Sequence, residues 1–339
     1  MIWDFVFWKK FCGVLPNKGL LMDELAKLGP VFPGSPIGVL LIHGLTGTPT
    51  ELSPIAKDLN RYGFSVFCPL LAGHCQSEAE LLKTGWRDWY ASVDTAWQAF
   101  SRQVEPLFVG GISAGAVLSL YLAQKHPGVV RGLGLYSITL RWDGWSIPRL
   151  IILLPLLLRI PIVGKRFRIE ENYPYGLKNE KLRERVHAQM MSGDPSEAGF
   201  SGTPFPSLQE LLRMVDLVKA GLPEQETPAL LVHSRDDDIA SIRNALYVKD
   251  HIGGPSRLLA LESSYHMITI DQERKKVGFE TARWFFELLT DTEQNQLAAF
   301  AKSQELISSL SEAEDFKEKS RSELLKGLSK RKHWIQGIR

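Results

Sequence analysis

The sequence predicts an α/β fold: a mostly parallel sheet with helices on both faces and a helical insertion interrupting it. Three observations predict this. Short apolar runs alternate with helix-patterned segments from residue 37 onward, as parallel strands joined by crossovers require. The alternation lapses between residues 138 and 227 and then resumes. A glycine-flanked serine stands where one strand gives way to a helix. The 339 residues accordingly divide into an N-terminal segment (1–30) packing on the core, a core in two parts (31–137 and 228–289), an insertion acting as a cap (138–227) and a charged, helix-permitting tail (290–339).

Residues 37–42 form a continuous apolar run, the signature of a strand buried on both faces. Thr48, Pro49 and Glu51 then supply a cap, a proline at the first helical position and an acid three residues after the cap, opening a helix that ends near Gly63. Residues 64–69 form the next strand. Trp86, Trp89, Val93, Trp97 and Phe100 keep helical spacing. Residues 107–110 are a third strand backed by a helix over 116–124, and 133–136 a fourth. Strands return at 229–233 and 258–261, each with a helix behind it, the last marked by Val277, Thr281, Trp284, Phe285 and Leu288.

Within the insertion, residues 147–162 are strongly apolar, but Pro148, Pro155, Pro161, Arg149 and Arg159 cut them into pieces too short to span a bilayer. Two helices are expected after it. One runs through Leu182, Val186 and Met190 to Gly193; the other opens with a capping box from Ser207 to Glu210 and ends at Gly221.

Composition excludes several classes. Forty basic against thirty-eight acidic residues give a net charge of +2, too little to recruit nucleic acid. Three irregularly spaced cysteines, Cys12, Cys68 and Cys75, argue against a disulfide framework or a CxxC zinc site and suit a reducing compartment, so a cytoplasmic protein is expected. Trp3, Phe7 and Phe11 recur every fourth residue, and Asp4 comes too early for a secretory signal. Residues 312–339 carry eight Lys/Arg and five Asp/Glu, a surplus suited to a peripheral membrane surface or an acidic carrier protein.

The chemistry is concentrated after the strands. Gly111-Ile112-Ser113-Ala114-Gly115 matches G-x-S-x-G, in which small neighbours let a strand turn sharply into a helix with the serine oxygen exposed. Ser113 is the candidate nucleophile. His43-Gly44-Leu45-Thr46-Gly47 leaves the first strand as a glycine-rich loop, whose backbone can approach a substrate closely. An oxyanion hole of two N–H donors is expected from Leu45 and Ala114. Asp236, Asp237 and Asp238 follow the strand at 229–233, and any of them could orient a histidine. His266 follows the last strand and is the natural base, giving the order Ser, Asp, His. Substrate contacts are expected from His43, Gly44, Tyr265 and Met267.

These stretches, with Pro69-Leu70-Leu71-Ala72-Gly73-His74, Thr84-Gly85-Trp86-Arg87-Asp88-Trp89-Tyr90 and Ser264-Tyr265-His266-Met267-Ile268-Thr269-Ile270-Asp271, resemble the α/β-hydrolase superfamily across residues 37–289. Within it they resemble bacterial carboxylesterases and monoacylglycerol lipases of the serine aminopeptidase-like group. The resemblance implies that the catalytic aspartate lies three residues after Ser234 and two before Ile239, which selects Asp237. The chain departs from that group at Cys75, at Tyr265 and at Ala114-Gly115-Ala116, where glycines are usual or the glycines are shifted. The expected activity is that of a cofactor-free serine hydrolase cleaving carboxylic esters of aliphatic acyl chains. The alternatives are an acyl thioesterase acting on coenzyme A or carrier-protein conjugates, and a non-catalytic ligand binder on the same fold.

Overall fold

The computed structural model describes residues 24–147, 168–170, 173–191 and 195–303. The aromatic repeat near the N-terminus, the proline-cut stretch of the insertion beyond residue 147 and the tail beyond residue 303 lie outside them. Strands are β1 (Val31–Phe32), β2 (Gly38–Ile42), β3 (Ser65–Phe67), β4 (Leu107–Ile112), β5 (Val130–Tyr136), β6 (Arg168–Glu170), β7 (Gly202–Pro204), β8 (Ala229–Ser234) and β9 (Ser256–Leu261). Helices are α1 (Ser53–Arg61), α2 (Glu78–Leu81), α3 (Trp86–Ser101), α4 (Ala114–Lys125), α5 (Glu180–Met191), α6 (Pro195–Ala198), α7 (Phe205–Ala220), α8 (Arg243–His251), α9 (Arg274–Glu287) and α10 (Asp291–Ser303).

Seven strands form one sheet in the order β1-β3-β2-β4-β5-β8-β9, parallel except for β1 against β3. This is the mostly parallel, helix-covered sheet that the alternation predicts. Successive side chains of a strand face opposite ways. On β2, Leu40 and Ile42 therefore join one core with Trp89 and Val93 of α3 and Leu118 of α4. Val39 and Leu41 join the other, with Ile55 and Leu59 of α1 and Phe285 of α9. Burial on both faces is why these strands read as continuous apolar runs.

The two expected capping boxes form differently. Thr48 caps a short 3-10 turn, Pro49–Leu52, by accepting from Thr50 N–H, while Glu51 reaches back to Gly44 N–H at 2.5 Å. α7 starts two residues before Ser207, leaving that hydroxyl buried inside the helix, and Glu210 turns to Trp86 N–H at 3.4 Å and to Arg213. In both cases a tertiary N–H takes the carboxylate that local pattern assigns to the cap. The insertion also holds the small antiparallel ladder β6-β7, too short to show an alternating pattern in the sequence.

Candidate active site

The carboxyl ends of β4, β5, β8 and β9 converge on one site. β4 stops at Ile112 and α4 starts at Ala114, so Ser113 alone makes the turn, at φ 56° and ψ −117°. Such backbone costs a non-glycine residue roughly 1–3 kcal/mol and persists only where its surroundings enforce it. They do so by close approach. A Cβ on Gly111 would lie 2.4 Å from the Gly115 carbonyl, and one on Gly115 2.0 Å from the Ile42 carbonyl oxygen. Ser113 N–H donates to the Tyr136 carbonyl (2.9 Å), and Ser113 Oγ lies 3.1 Å from Thr139 Oγ1. Thr139 donates to the Ser137 carbonyl, so its oxygen accepts from Ser113. Thr139 escapes a reading of the sequence; its one signal is a position three residues beyond β5, the strand beside β4.

The three aspartates have separate surroundings. Asp236 is exposed and pairs with Lys178 at 2.9 Å. Asp237 is buried, with its two oxygens 3.0 and 2.9 Å from His266 Nδ1, and it also accepts the Ile239 and Ala240 N–H groups. Burial alone would raise the Asp237 carboxyl. The facing His266 ring and His233, 3.3 Å away, outweigh it and hold the group well below the usual carboxylate range. An ionised Asp237 keeps the His266 proton on Nδ1 and the lone pair on Nε2. Asp238 is buried as well, with its carboxyl raised by that burial against the pull of His266.

Ser113 and His266 line one cavity. Gly44, Leu45 and Met267 line it too, as do Tyr175, Val186, Met190, Phe200 and Leu208 from the insertion. Among the described residues, none accepts a hydrogen bond from Leu45 N–H or Ala114 N–H. The neighbouring Gly44 N–H is already taken by Glu51.

Two expected substrate contacts are elsewhere. His43 is fully buried: Nδ1–H donates to the Gly44 carbonyl (2.9 Å) and Nε2 accepts from Leu71 N–H (3.2 Å). Burial and the facing His74 lower its pKa to about 3, so it remains a neutral tie between two loops. Tyr265 points out of the cavity, edge-on to Trp145 and beneath Lys178 Nζ. The chain bends at His266, and only Met267 of the pair lines the cavity. No group of three or more His, Cys, Asp or Glu among the described residues is arranged to hold a metal ion.

Residues 37–273 match the Hydrolase_4 family, described as "Serine aminopeptidase, S33". The chain is 28% identical over 251 residues to a thermostable monoacylglycerol lipase of Bacillus sp. (strain H-257), covering 74% of this chain and 90% of that one. It is 25% identical over 248 residues to a carboxylesterase of Bacillus subtilis (strain 168), covering 73% and 91%. Among solved structures, one described for LipS and LipT, two metagenome-derived lipolytic enzymes, is similar with a TM-score of 0.65 and 26% identity, covering 76% of this chain and 96% of that one. The monoacylglycerol lipase of Paleococcus ferrophilus, at 18% identity, shares the fold with a TM-score of 0.64 over 77% and 98% of the two chains.

Proposed function

The chain belongs to the Hydrolase_4 family, serine aminopeptidase type, and on that premise we propose that it hydrolyses carboxylic esters of aliphatic acyl groups through an acyl-enzyme on Ser113. One observation carries the reading: Ser113, an Asp237-paired His266 and the Leu45 loop line a single cavity. In this reading Ser113 Oγ attacks the acyl carbonyl while its proton passes to His266 Nε2. The oxyanion takes the Leu45 and Ala114 N–H groups, where loss of one donor typically costs about 2.7–4 kcal/mol of activation energy. Collapse breaks the ester C–O bond, and His266 returns the proton to the leaving alcohol. Water then attacks the acyl-enzyme, giving a proton to His266, and the acid leaves as Ser113 is reprotonated. Asp237 stays ionised throughout and stabilises the imidazolium.

The lipase and esterase names of the relatives support an ester over an amide substrate. Residues 138–227 act as a cap in this reading; α10 packs on the core through the buried Leu297, so only the tail beyond residue 303 serves a peripheral contact with a membrane surface or carrier protein. The low and irregular cysteine usage supports a cytoplasmic setting. The test is labelling by a fluorophosphonate probe, with hydrolysis of p-nitrophenyl esters of rising chain length beside the matching acyl-CoA thioesters. Labelling is expected in the wild type and lost in Ser113→Ala, with ester turnover exceeding thioester turnover. Labelling of a folded Ser113→Ala protein, or preference for the thioesters, would overturn the reading.

A further inference from the structure

Residues 176–179 of the insertion pass directly over the turn that carries His266, and their contacts with it are unusually complete. Gly176 has φ +70°, and a Cβ there would meet Met267 Cγ at 2.8 Å and His266 Cβ at 3.2 Å, so only glycine lets the chain come this close. Three consecutive amides of the histidine turn are then tied to this strap. Met267 N–H donates to the Gly176 carbonyl at 2.8 Å. His266 N–H donates to Asp238 Oδ1 (3.2 Å), whose other oxygen accepts from Gly176 N–H (3.1 Å). Tyr265 N–H donates to Asp271 Oδ2 (2.9 Å), and the Asp271 carboxylate also accepts from Lys178 N–H (2.9 Å) and Asn179 N–H (3.0 Å). Asp237 holds the imidazole, and its chain neighbour Asp238 holds the backbone beneath it.

Resting on the assignment of Ser113, Asp237 and His266 above, we infer that Asp238 is a positioning residue that sets the catalytic histidine and joins its alignment to the seating of the insertion. A carboxylate suits the task because it offers an acceptor to each of two N–H groups. An asparagine in either orientation turns an NH2 toward one of them. The charge matters too. The charged and titratable groups around His266 are Asp237 with His233 behind it, Asp238, Asp271 on its own turn, Lys178 from the insertion and Glu51 across the cavity. The Asp238 carboxylate favours the protonated ring, so its neutralisation makes His266 easier to deprotonate.

The experiment is kcat/KM and kcat for p-nitrophenyl butyrate from pH 4 to 9 in wild type, Asp238→Asn, Gly176→Ala, Asp237→Asn and Ser113→Ala. Asp238→Asn is expected to lower kcat at least tenfold and to move the acidic limb of kcat/KM down by on the order of one pH unit. Gly176→Ala leaves every charge in place, so it is expected to lower kcat with the midpoint unmoved. A folded Asp238→Asn enzyme with wild-type kcat, or with a reduced kcat at an unmoved midpoint, would overturn the inference. If Asp238→Asn does not fold, Gly176→Ala decides: wild-type kcat in that variant would sink the link between strap and histidine. Either failure leaves the reaction standing while Ser113→Ala and Asp237→Asn are inactive. Activity in Ser113→Ala would instead remove the reading on which the inference rests.

Discussion

Asp236, Asp237 and Asp238 are neighbours in the chain, yet one meets solvent and a lysine, one an imidazole and one two backbone amides. A run of three identical side chains contains nothing that separates these fates; the turn after β8 separates them, and only resemblance to a family points to Asp237 beforehand. His43 shows the opposite error. A histidine beside a catalytic loop reads as a substrate contact, whereas it is sealed in the core with His74. That burial has a measurable consequence. Both rings stay neutral in the fold, with pKa values near 3 for His43 and 4 for His74, while an unfolded histidine titrates near about 6.5. Below that pH the unfolded chain binds protons that the fold refuses, so stability falls as pH falls. Each ring contributes a slope approaching roughly 1.4 kcal/mol per pH unit, from about 6.5 down to its own folded value. Asp238, with its raised carboxyl, acts in the opposite sense at the acid end. His74→Phe keeps the ring packing against His43 and Trp89 and removes one proton site. Urea denaturation at pH 7, 6 and 5 should therefore show a shallower loss of stability in His74→Phe than in wild type. Parallel curves would mean that His74 takes up its proton in the folded state.

At the scale of elements, the strands and the helices α3, α4 and α9 are readable because burial writes itself into the chain as apolar runs and helical spacing. The start at Pro49 is read correctly, with Thr48 as its cap; the start at Phe205 and the destinations of both carboxylates are misread, because Glu51 and Glu210 satisfy amides brought near by the fold, Gly44 and Trp86, which local pattern cannot see. The turn between β4 and α4 is readable because its requirement is steric and local. Its glycines differ in kind from a glycine that merely favours left-handed backbone. A methyl group on Gly115 would stand 2.0 Å from the Ile42 carbonyl oxygen, backbone that cannot swing away. One on Gly128, at φ +75°, would touch nothing within 4 Å. Gly128→Ala should cost about 1–2 kcal/mol, the penalty of left-handed backbone alone. Gly115→Ala should cost more, about 3 kcal/mol or beyond, because β2 and α4 must separate, and it should also lower labelling of Ser113 by the fluorophosphonate. Chemical denaturation of the two variants measures the difference. Equal costs would mean that the elbow has slack that the close approach denies.

At the scale of the whole molecule, loops leaving the sheet supply the reacting groups and the insertion supplies much of the apolar lining of the cavity. Ser113, His266 and Leu45 line the cavity together with Val186, Met190, Phe200 and Leu208 of the insertion. The insertion was legible as an interruption of the alternation, but not as this lining, because the residues that form it come from segments far apart in the chain. An acyl chain bound among these residues leaves water for apolar side chains, a gain on the order of 0.8 kcal/mol per buried methylene. That corresponds to about a fourfold rise in kcat/KM for each added methylene wherever the transition state keeps the contact. The expected series over acetate, butyrate, hexanoate, octanoate and dodecanoate esters rises steeply and then levels once the chain emerges into solvent. Val186→Asp tests the lining directly. The residue is only partly buried on α5, so the fold should tolerate a charge there. A carboxylate at that position should depress kcat/KM progressively more for longer chains while leaving acetate close to wild type. Equal depression at every length would place the acyl chain away from α5, and a flat wild-type series would mean that the apolar lining receives the alcohol side of the ester.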